Sequence, residues 1–307
     1  MNEIQRYLAE EVAEDHADGI IDRREAIRRL GLLGVTGTVA TGLLATFAAQ
    51  EAAAASAPRQ SVERHGERGS ETSWAPVPTE AITFAGPRVP LMGVWAPAAR
   101  PRGAVLVIHE NRGLTPHIQT IAGRFAASGY SAISLDLLSE EGGTASFPDE
   151  AAIQAELAQI PPARHVEDMK ATLTELRRRV PRRPLFAIGF CFGGAMVWNL
   201  LTSNEPRLAA GAPFYGPFPE GRTFDGSHAR VLGVFGGLDA RVNATIPMAR
   251  AALEAERLRY ELLTFTEANH AFFNDTGTRF NPHAATEAWR RVLNWFDAAG
   301  EDHRDRD

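Results

Sequence analysis

Phe186-Ala187-Ile188-Gly189-Phe190-Cys191-Phe192-Gly193-Gly194 holds the only cysteine of a 307-residue chain, at the point where an apolar, strand-like run stops and a helical pattern begins. Glycine two residues to either side of Cys191 marks a turn so tight that strand and helix backbones approach closely and the central residue is strained. Such a turn pushes one side chain out at the C-terminal edge of a sheet. A lone cysteine is otherwise a small buried hydrophobe; the succession of strand, Gly-x-Cys-x-Gly turn and helix is what favours a presented thiol. With an ordinary pKa of about 8.5, a free thiol is only a few per cent thiolate at neutral pH, so a working one needs a base, and the base needs an acid to orient it.

Both partners stand downstream. Val231-Leu232-Gly233-Val234-Phe235-Gly236-Gly237-Leu238-Asp239 reads as a strand entering a Gly-Gly turn that ends on Asp239, and residues 260–270 read as a strand entering a loop that carries His270. Alone, an aspartate after a strand is a turn former or helix cap, and a histidine is a surface or core residue. Thiol, then acid, then histidine, each just past a strand end, is the chain order of an α/β-hydrolase triad. Upstream, Gly103-Ala104-Val105-Leu106-Val107-Ile108-His109-Glu110-Asn111-Arg112-Gly113-Leu114 reads as a buried strand entering a polar loop. In α/β-hydrolases this loop donates one backbone N–H to an oxyanion hole, which assigns the hole to the N–H groups of Asn111 and Phe192, the second at the start of the helix after the elbow. On spacing alone, Glu110 is either a plain loop carboxylate or part of the site.

These segments resemble the dienelactone hydrolase (carboxymethylenebutenolidase) family. The resemblance is carried by His-Glu-Asn-Arg-Gly-Leu at 109–114, Gly-Phe-Cys-Phe-Gly-Gly at 189–194, Gly-Gly-Leu-Asp at 236–239 and Asn-His-Ala-Phe at 269–272, and covers most of residues 79–298. It implies a triad of Cys191, Asp239 and His270, with Glu110 contacting the resting thiol and helping to deprotonate it when substrate arrives. It also implies arginines that hold a free substrate carboxylate, one of them shortly after the histidine. Here the chain departs, with Phe272-Phe273-Asn274-Asp275 in that place. Arg279 is the nearest arginine beyond and is either a substitute or an exposed loop residue, and Arg112 in the oxyanion loop is a second candidate for an anionic group. Tyr215 and Phe272 are candidates to line an apolar acyl pocket, whereas Trp198 and Phe214 read as core.

The remaining pattern places these motifs on a sheet. An antiparallel pair at 82–84 and 89–95 opens it, followed by strands at 104–108, 131–135, 185–190, 209–214, 231–235 and 260–265. Helical patterns fall at 117–128, 164–180, 192–203, 245–256 and 283–298. Alternation of this kind predicts the α/β-hydrolase fold, with a mostly parallel central sheet covered by helices on both faces and site residues converging at its C-terminal edge. Hydrophobic content of 44% suffices for a buried sheet, and a net charge of −6 argues against nucleic acid as a partner. His109, His117, His165, His228 and His283 lack metal-ligand spacing and read as structural or surface residues, so neither metal nor cofactor is expected.

The N-terminus carries a different message. Asp22-Arg23-Arg24-Glu25-Ala26-Ile27-Arg28 precedes a weakly apolar stretch, Leu30 to Ala49, and then Ala53-Ala54-Ala55-Ser56-Ala57-Pro58. This resembles a twin-arginine export peptide, with Ser56 in the middle of an Ala-x-Ala cut site, and implies the twin-arginine machinery as a partner and an extracytoplasmic location. Left uncleaved, 30–49 is long enough to serve as a membrane anchor. Residues 1–21 read as a short amphipathic helix. The expected organisation is therefore an N-terminal segment and signal at 1–57, a polar linker at 58–78, a catalytic domain at 79–298 and a polar tail at 299–307. The expected activity is hydrolysis of an ester or a dienelactone-type enol lactone through a thioester on Cys191. The alternatives are a general carboxylesterase or thioesterase on the same scaffold, or a non-catalytic exported binding protein.

Overall fold

The run at 103–108 has no polar alternation, the pattern of a strand covered on both faces. All of its residues are buried in the computed structural model, which describes residues 1–56 and 75–304. The strands are β1 (Glu80–Phe84), β2 (Leu91–Ala96), β3 (Gly103–Ile108), β4 (Tyr130–Leu135), β5 (Leu185–Phe190), β6 (Leu208–Phe214), β7 (Arg230–Gly236) and β8 (Tyr260–Phe265). The helices among the described residues are α1 (Glu3–Ala17), α2 (Arg23–Leu32), α3 (Gly37–Ser56), α4 (Pro116–Ala127), α5 (Glu150–Leu157), α6 (Pro162–Arg179), α7 (Phe192–Leu201), α8 (Ala240–Asn243), α9 (Ile246–Ala255) and α10 (Pro282–Arg304). They form two units: Met1–Ser73 with Phe147–Ile160, and Trp74–Ser146 with Pro161–Asp307.

In the larger unit one sheet runs in the order β1-β2-β4-β3-β5-β6-β7-β8. The opening pair is antiparallel, with Glu80 opposite Trp95 and Phe84 opposite Leu91, and β2 meets β4 antiparallel; from β4 to β8 every pairing is parallel. This is the expected α/β-hydrolase architecture. Phe125 of α4 meets Trp289 of α10 at 4.6 Å, and Phe296 of α10 stacks on Phe186 of β5 at 4.5 Å, so α4 and α10 share an aromatic seam over the sheet. Each such ring contributes about 1.5–3 kcal/mol by leaving water. Helices α6 and α7 pack on each other and on β3 and β5.

Two boundaries differ from the expected ones. Helix α10 continues to Arg304, so residues 299–304 of the expected tail are helical. Asp302 in its last turns pairs with Arg230 at the start of β7 and with Arg259 at 3.0 Å, which ties down a segment that composition marks as polar. The second difference is α5, which lies inside the expected catalytic domain but belongs to the N-terminal unit.

That smaller unit is built from capped helices. Asn2 and Gln5 form a reciprocal capping box at the start of α1, and Asp22 caps α2 by accepting from Glu25 N at 2.8 Å. Ion pairs then join it to the later segment: Arg29 reaches Glu150 at 3.5 Å and Arg28 reaches Asp149 at 3.2 Å, while Asn2 Nδ2 donates to the Ala158 carbonyl at 3.0 Å. The apolar stretch at 30–49 is not one helix, since the chain turns at Gly34 (φ 77°) between α2 and α3. No described helix is long and apolar enough to cross a membrane. Of the expected cut site, Ala55 and Ser56 are the last residues of α3, and Ala57 lies outside the described residues. Residues 58–74 of the expected linker and 305–307 of the tail lie outside the described residues.

Candidate active site

From β3 the chain moves out to β4 on one side and returns to β5 on the other, so the loops after β3 and β5 part at the point where the strand order reverses. Ile108 pairs with Gly189. Glu110 and Cys191, each two residues further on, therefore emerge side by side at the C-terminal edge.

Cys191 sits at φ 56° and ψ −117° between β5 and α7. A non-glycine residue there carries strain of about 1–3 kcal/mol, and neighbouring bonds must hold it. Its N–H donates to the Phe214 carbonyl at 3.0 Å and its carbonyl accepts from Ala195 N at 3.1 Å. The flanking glycines are required by close approach: a Cβ on Gly189 would stand 2.2 Å from the Gly193 carbonyl oxygen, and one on Gly193 would stand 2.5 Å from that of Ile108. The second figure also shows that the start of α7 lies against the loop after β3. The N–H groups of the first turn of α7, beginning at Phe192, have no partner within the helix and form its positive end. Asn111 is buried in the facing loop.

His270 follows β8, and its Nδ1 is 2.6 Å from Asp239 Oδ2. Both residues are about 1% exposed. The loops after β7 and β8 are bonded to each other, Gly237 N to the Phe265 carbonyl at 2.7 Å and Leu238 N to the Ala268 carbonyl at 3.0 Å, which fixes the two side chains in register. Asp239 Oδ1 accepts from Val242 N at 3.0 Å and so also caps α8. Burial pushes the Asp239 carboxyl up, but His270, Arg241 and the Val242 N–H outweigh it and hold the group below the ordinary carboxylate range. A ring nitrogen of His270 and Cys191 Sγ lie within 4.8 Å of each other.

Strain gathers around this pair. Tyr215, just past β6, has φ 34°, and Ala271, just past His270, has φ 58°. The Tyr215 ring meets His270 edge-on at 5.1 Å and Phe272 at 5.6 Å. Phe272 is fully buried between Tyr215 and Phe265, so its ring supports the histidine loop. Of the two candidate arginines, Arg112 is half-buried beside Asn111 and Arg279 is half-buried ahead of α10.

Glu110 is 5% exposed, and its Oε2 accepts from Asn274 Nδ2 at 2.8 Å. This partner was not read from the sequence, although Asn274 stands four residues past His270 in the place where an arginine was missed. The next residue, Asp275, accepts from Arg124 and bonds His117 Nδ1 at 2.9 Å, so α4 anchors the same loop. His109 has a structural part: Nδ1–H donates to the Glu110 carbonyl at 2.6 Å and Nε2 accepts from Leu137 N at 3.2 Å. Only the neutral ring satisfies both bonds, and burial pushes its pKa down accordingly.

A parallel sheet with a strained strand-to-helix elbow at its edge and an imidazole–carboxylate pair on the next loops defines an α/β hydrolase. MGS-M1, an α/β hydrolase from a deep-sea metagenome, shares the fold with a TM-score of 0.56 at 16% identity, over 73% of this chain and 98% of that one. Residues 93–300 match the Dienelactone hydrolase family, and the chain belongs to it. An Escherichia coli O157:H7 protein named "Putative carboxymethylenebutenolidase" is 30% identical over 246 residues, covering 73% of this chain and 90% of that protein. The crystal structure titled "Putative Dienelactone Hydrolase" from Klebsiella pneumoniae superposes with a TM-score of 0.63 at 26% identity, over 71% of this chain and 97% of that one. The protein is therefore a hydrolase, which sets aside the non-catalytic alternative.

Proposed function

We propose that this hydrolase cleaves a carboxylic ester or enol lactone with Cys191 as nucleophile. The observation that carries the reading is the thiol on a strained elbow within 4.8 Å of an imidazole nitrogen, in a ring whose Nδ1 is bonded to a buried carboxylate. Asp239 fixes the Nδ1–H tautomer, which leaves Nε2 to take the proton from Cys191, with Glu110 assisting. The thiolate attacks the carbonyl, and backbone N–H groups of Asn111 and Phe192 receive the developing oxyanion. The C–O bond breaks, the enolate or alkoxide leaves with the proton from His270, and water hydrolyses the thioester. Thiolate is readily expelled from a tetrahedral intermediate, so the site favours substrates whose own leaving group departs easily, such as enol lactones.

The test is steady-state hydrolysis of a dienelactone and of 4-nitrophenyl acetate by the full chain beside its Cys191→Ala variant. Strong dienelactone turnover lost in the variant establishes nucleophile and substrate class. Cysteine-dependent activity on the acetate alone makes the enzyme a general esterase, and activity that survives the substitution sinks the mechanism. Export by the twin-arginine route belongs to the same proposal, supported by the exposure of Arg23 and Arg24 at the start of α2. Changing both to lysine should retain the full chain in the cytoplasm on cell fractionation.

A further inference from the structure

The N-terminal ends of the parallel strands, at the edge of the sheet opposite Cys191, carry a row of arginines. Arg102 stands just before β3, Arg183 two residues before β5, Arg207 just before β6 and Arg259 just before β8, while Arg230 opens β7. Neighbouring strands lie about 4.8 Å apart, so in the sheet order β3-β5-β6-β7-β8 the row extends over about 20 Å. Part of it is structural. Helices that connect parallel strands run back to this edge and end there on unpaired carbonyls, which favour cations. Carboxylates also hold several of the guanidiniums: Asp297 pairs with Arg102 at 2.6 Å, Glu205 with Arg207 at 2.6 Å, and Asp302 with both Arg230 and Arg259.

Arg183 is not used in this way, and neither are Arg100, Arg182 and Arg257 in the loops of the same edge. All four are exposed, and none is ion-paired among the described residues. Two of them sit where the backbone favours glycine. Arg257 (φ 53°) ends α9, its N–H donating to the Glu254 carbonyl at 3.1 Å while Leu258 N donates to the Leu253 carbonyl at 3.1 Å, a helix-ending motif whose left-handed position is usually glycine. Arg182 (φ 58°) follows Pro181 in the turn from α6 to β5. A side chain at such a position costs the turn stability, and an outlier of this kind points to a use for the side chain.

We propose that this edge is a docking surface for a bilayer rich in anionic phospholipid, which meets the exposed guanidiniums through lipid phosphates and leaves the active-site edge facing away from the membrane. A guanidinium forks onto two phosphate oxygens at once. The form of the patch selects the partner: broad and exposed, it suits a planar array of phosphates better than one small anion. The whole chain carries a net charge of −6, so a nucleic acid bending round the molecule meets acidic surface, whereas a bilayer touches one face. Charges more than about 10 Å from that face are largely screened. The exposed carboxylates nearest it, Glu254 and Glu256 at the end of α9 and Glu301 on α10, are fewer than the unpaired arginines.

The probe is co-sedimentation of the full-length protein with unilamellar vesicles of phosphatidylglycerol and phosphatidylcholine in equal parts, beside vesicles of phosphatidylcholine alone. Partitioning should favour the anionic vesicles by roughly 100-fold or more, and should fall about tenfold or more when salt is raised from about 0.05 M to about 0.5 M. Arg182→Gln with Arg183→Gln should weaken binding to the anionic vesicles about 30-fold, the scale of two arginines lost at such a surface. Arg222→Gln with Arg290→Gln removes the same charge from exposed positions in the β6–β7 loop and the first half of α10, and should weaken binding less than about threefold. Both pairs should keep the melting temperature of the parent. No preference for the anionic vesicles, binding indifferent to salt, or equal effects of the two pairs of substitutions overturns the proposal. Retention on heparin without vesicle binding also overturns it, and makes the partner a soluble polyanion.

Discussion

Two buried imidazoles of the hydrolase unit each hold a carboxylate through Nδ1, yet they are set up for different work. His270 meets Asp239 at 2.6 Å, and His117 meets Asp275 at 2.9 Å. The Asp239 side chain is fully buried and its second oxygen takes a neutral helix-cap N–H, so the charge faces the imidazole. The Asp275 side chain is 30% exposed and its second oxygen takes the Arg124 guanidinium. Burial pushes the His117 pKa down and Arg124 adds to that, with Asp275 pulling only partly the other way. Protonation of the ring is therefore disfavoured at the second pair, while at the first a buried carboxylate faces the ring. A histidine–aspartate bond is not in itself acid–base machinery; what else the carboxylate holds, and what stands beyond the ring, decides its use.

Removing one carboxylate charge from each pair separates the two. Asp239→Asn keeps a cap for Val242, but an amide N–H facing Nδ1 moves the ring proton to Nε2, the nitrogen needed to accept the thiol proton. Turnover of a Cys191-dependent ester should fall roughly 10²- to 10⁴-fold, by analogy with the same change in serine triads. The far-ultraviolet circular dichroism and melting temperature should stay close to those of the parent.

Asp275→Asn should show the reverse pattern. It leaves Arg124, itself 6% exposed, without its carboxylate, and should cost about 1–3 kcal/mol in urea denaturation. Turnover should change by less than about tenfold, through slackening of the loop that carries Asn274. Equal catalytic losses in the two variants would erase the distinction between a catalytic pair and a strut.

The fold was legible because its strands announce themselves. The runs at 104–108 and 185–190 are apolar on both faces and end in glycine or polar turns, and the observed strands begin and end within two residues of the expected ones. Helix α5 was not legible: eight residues, Glu-Ala-Ala-Ile-Gln-Ala-Glu-Leu, are too short for periodicity, and its attachment to α2 is by charges some 120 positions away in sequence. The same reasoning divides the site. Cys191, Asp239 and His270 each follow a strand through a glycine-bearing or polar turn, and order along the chain links them. The Asn274–Glu110 and His117–Asp275 bonds join residues 164 and 158 apart with no turn motif to mark them, and only the packing of the loop after β8 on α4 and the β3 loop brings them together.

Another buried imidazole, held by no carboxylate, extends the comparison. His165 on α6 is fully buried with its ring edge-on to Phe192 at 5.4 Å, and neither ring nitrogen meets a hydrogen-bond partner among the described residues. With no carboxylate to offset burial, and with Arg164, His109 and Arg88 nearby, its pKa is pushed from 6.5 down to about 3. The unfolded chain then binds a proton below pH 6.5 that the native state refuses until about pH 3, so stability rises with pH through that window and is flat above it. Between pH 8 and pH 5 this one residue should cost about 2 kcal/mol. His165→Leu removes the titration at similar volume, and any packing change cancels in the difference between the two pH values. Urea denaturation should therefore show the gap between pH 8 and pH 5 narrowing by about 2 kcal/mol, while His109 and His117, whose pKa values are also lowered, keep the remainder. An unchanged gap would mean that His165 gains a partner on protonation, and that burial without a carboxylate is not what sets it apart from the other two.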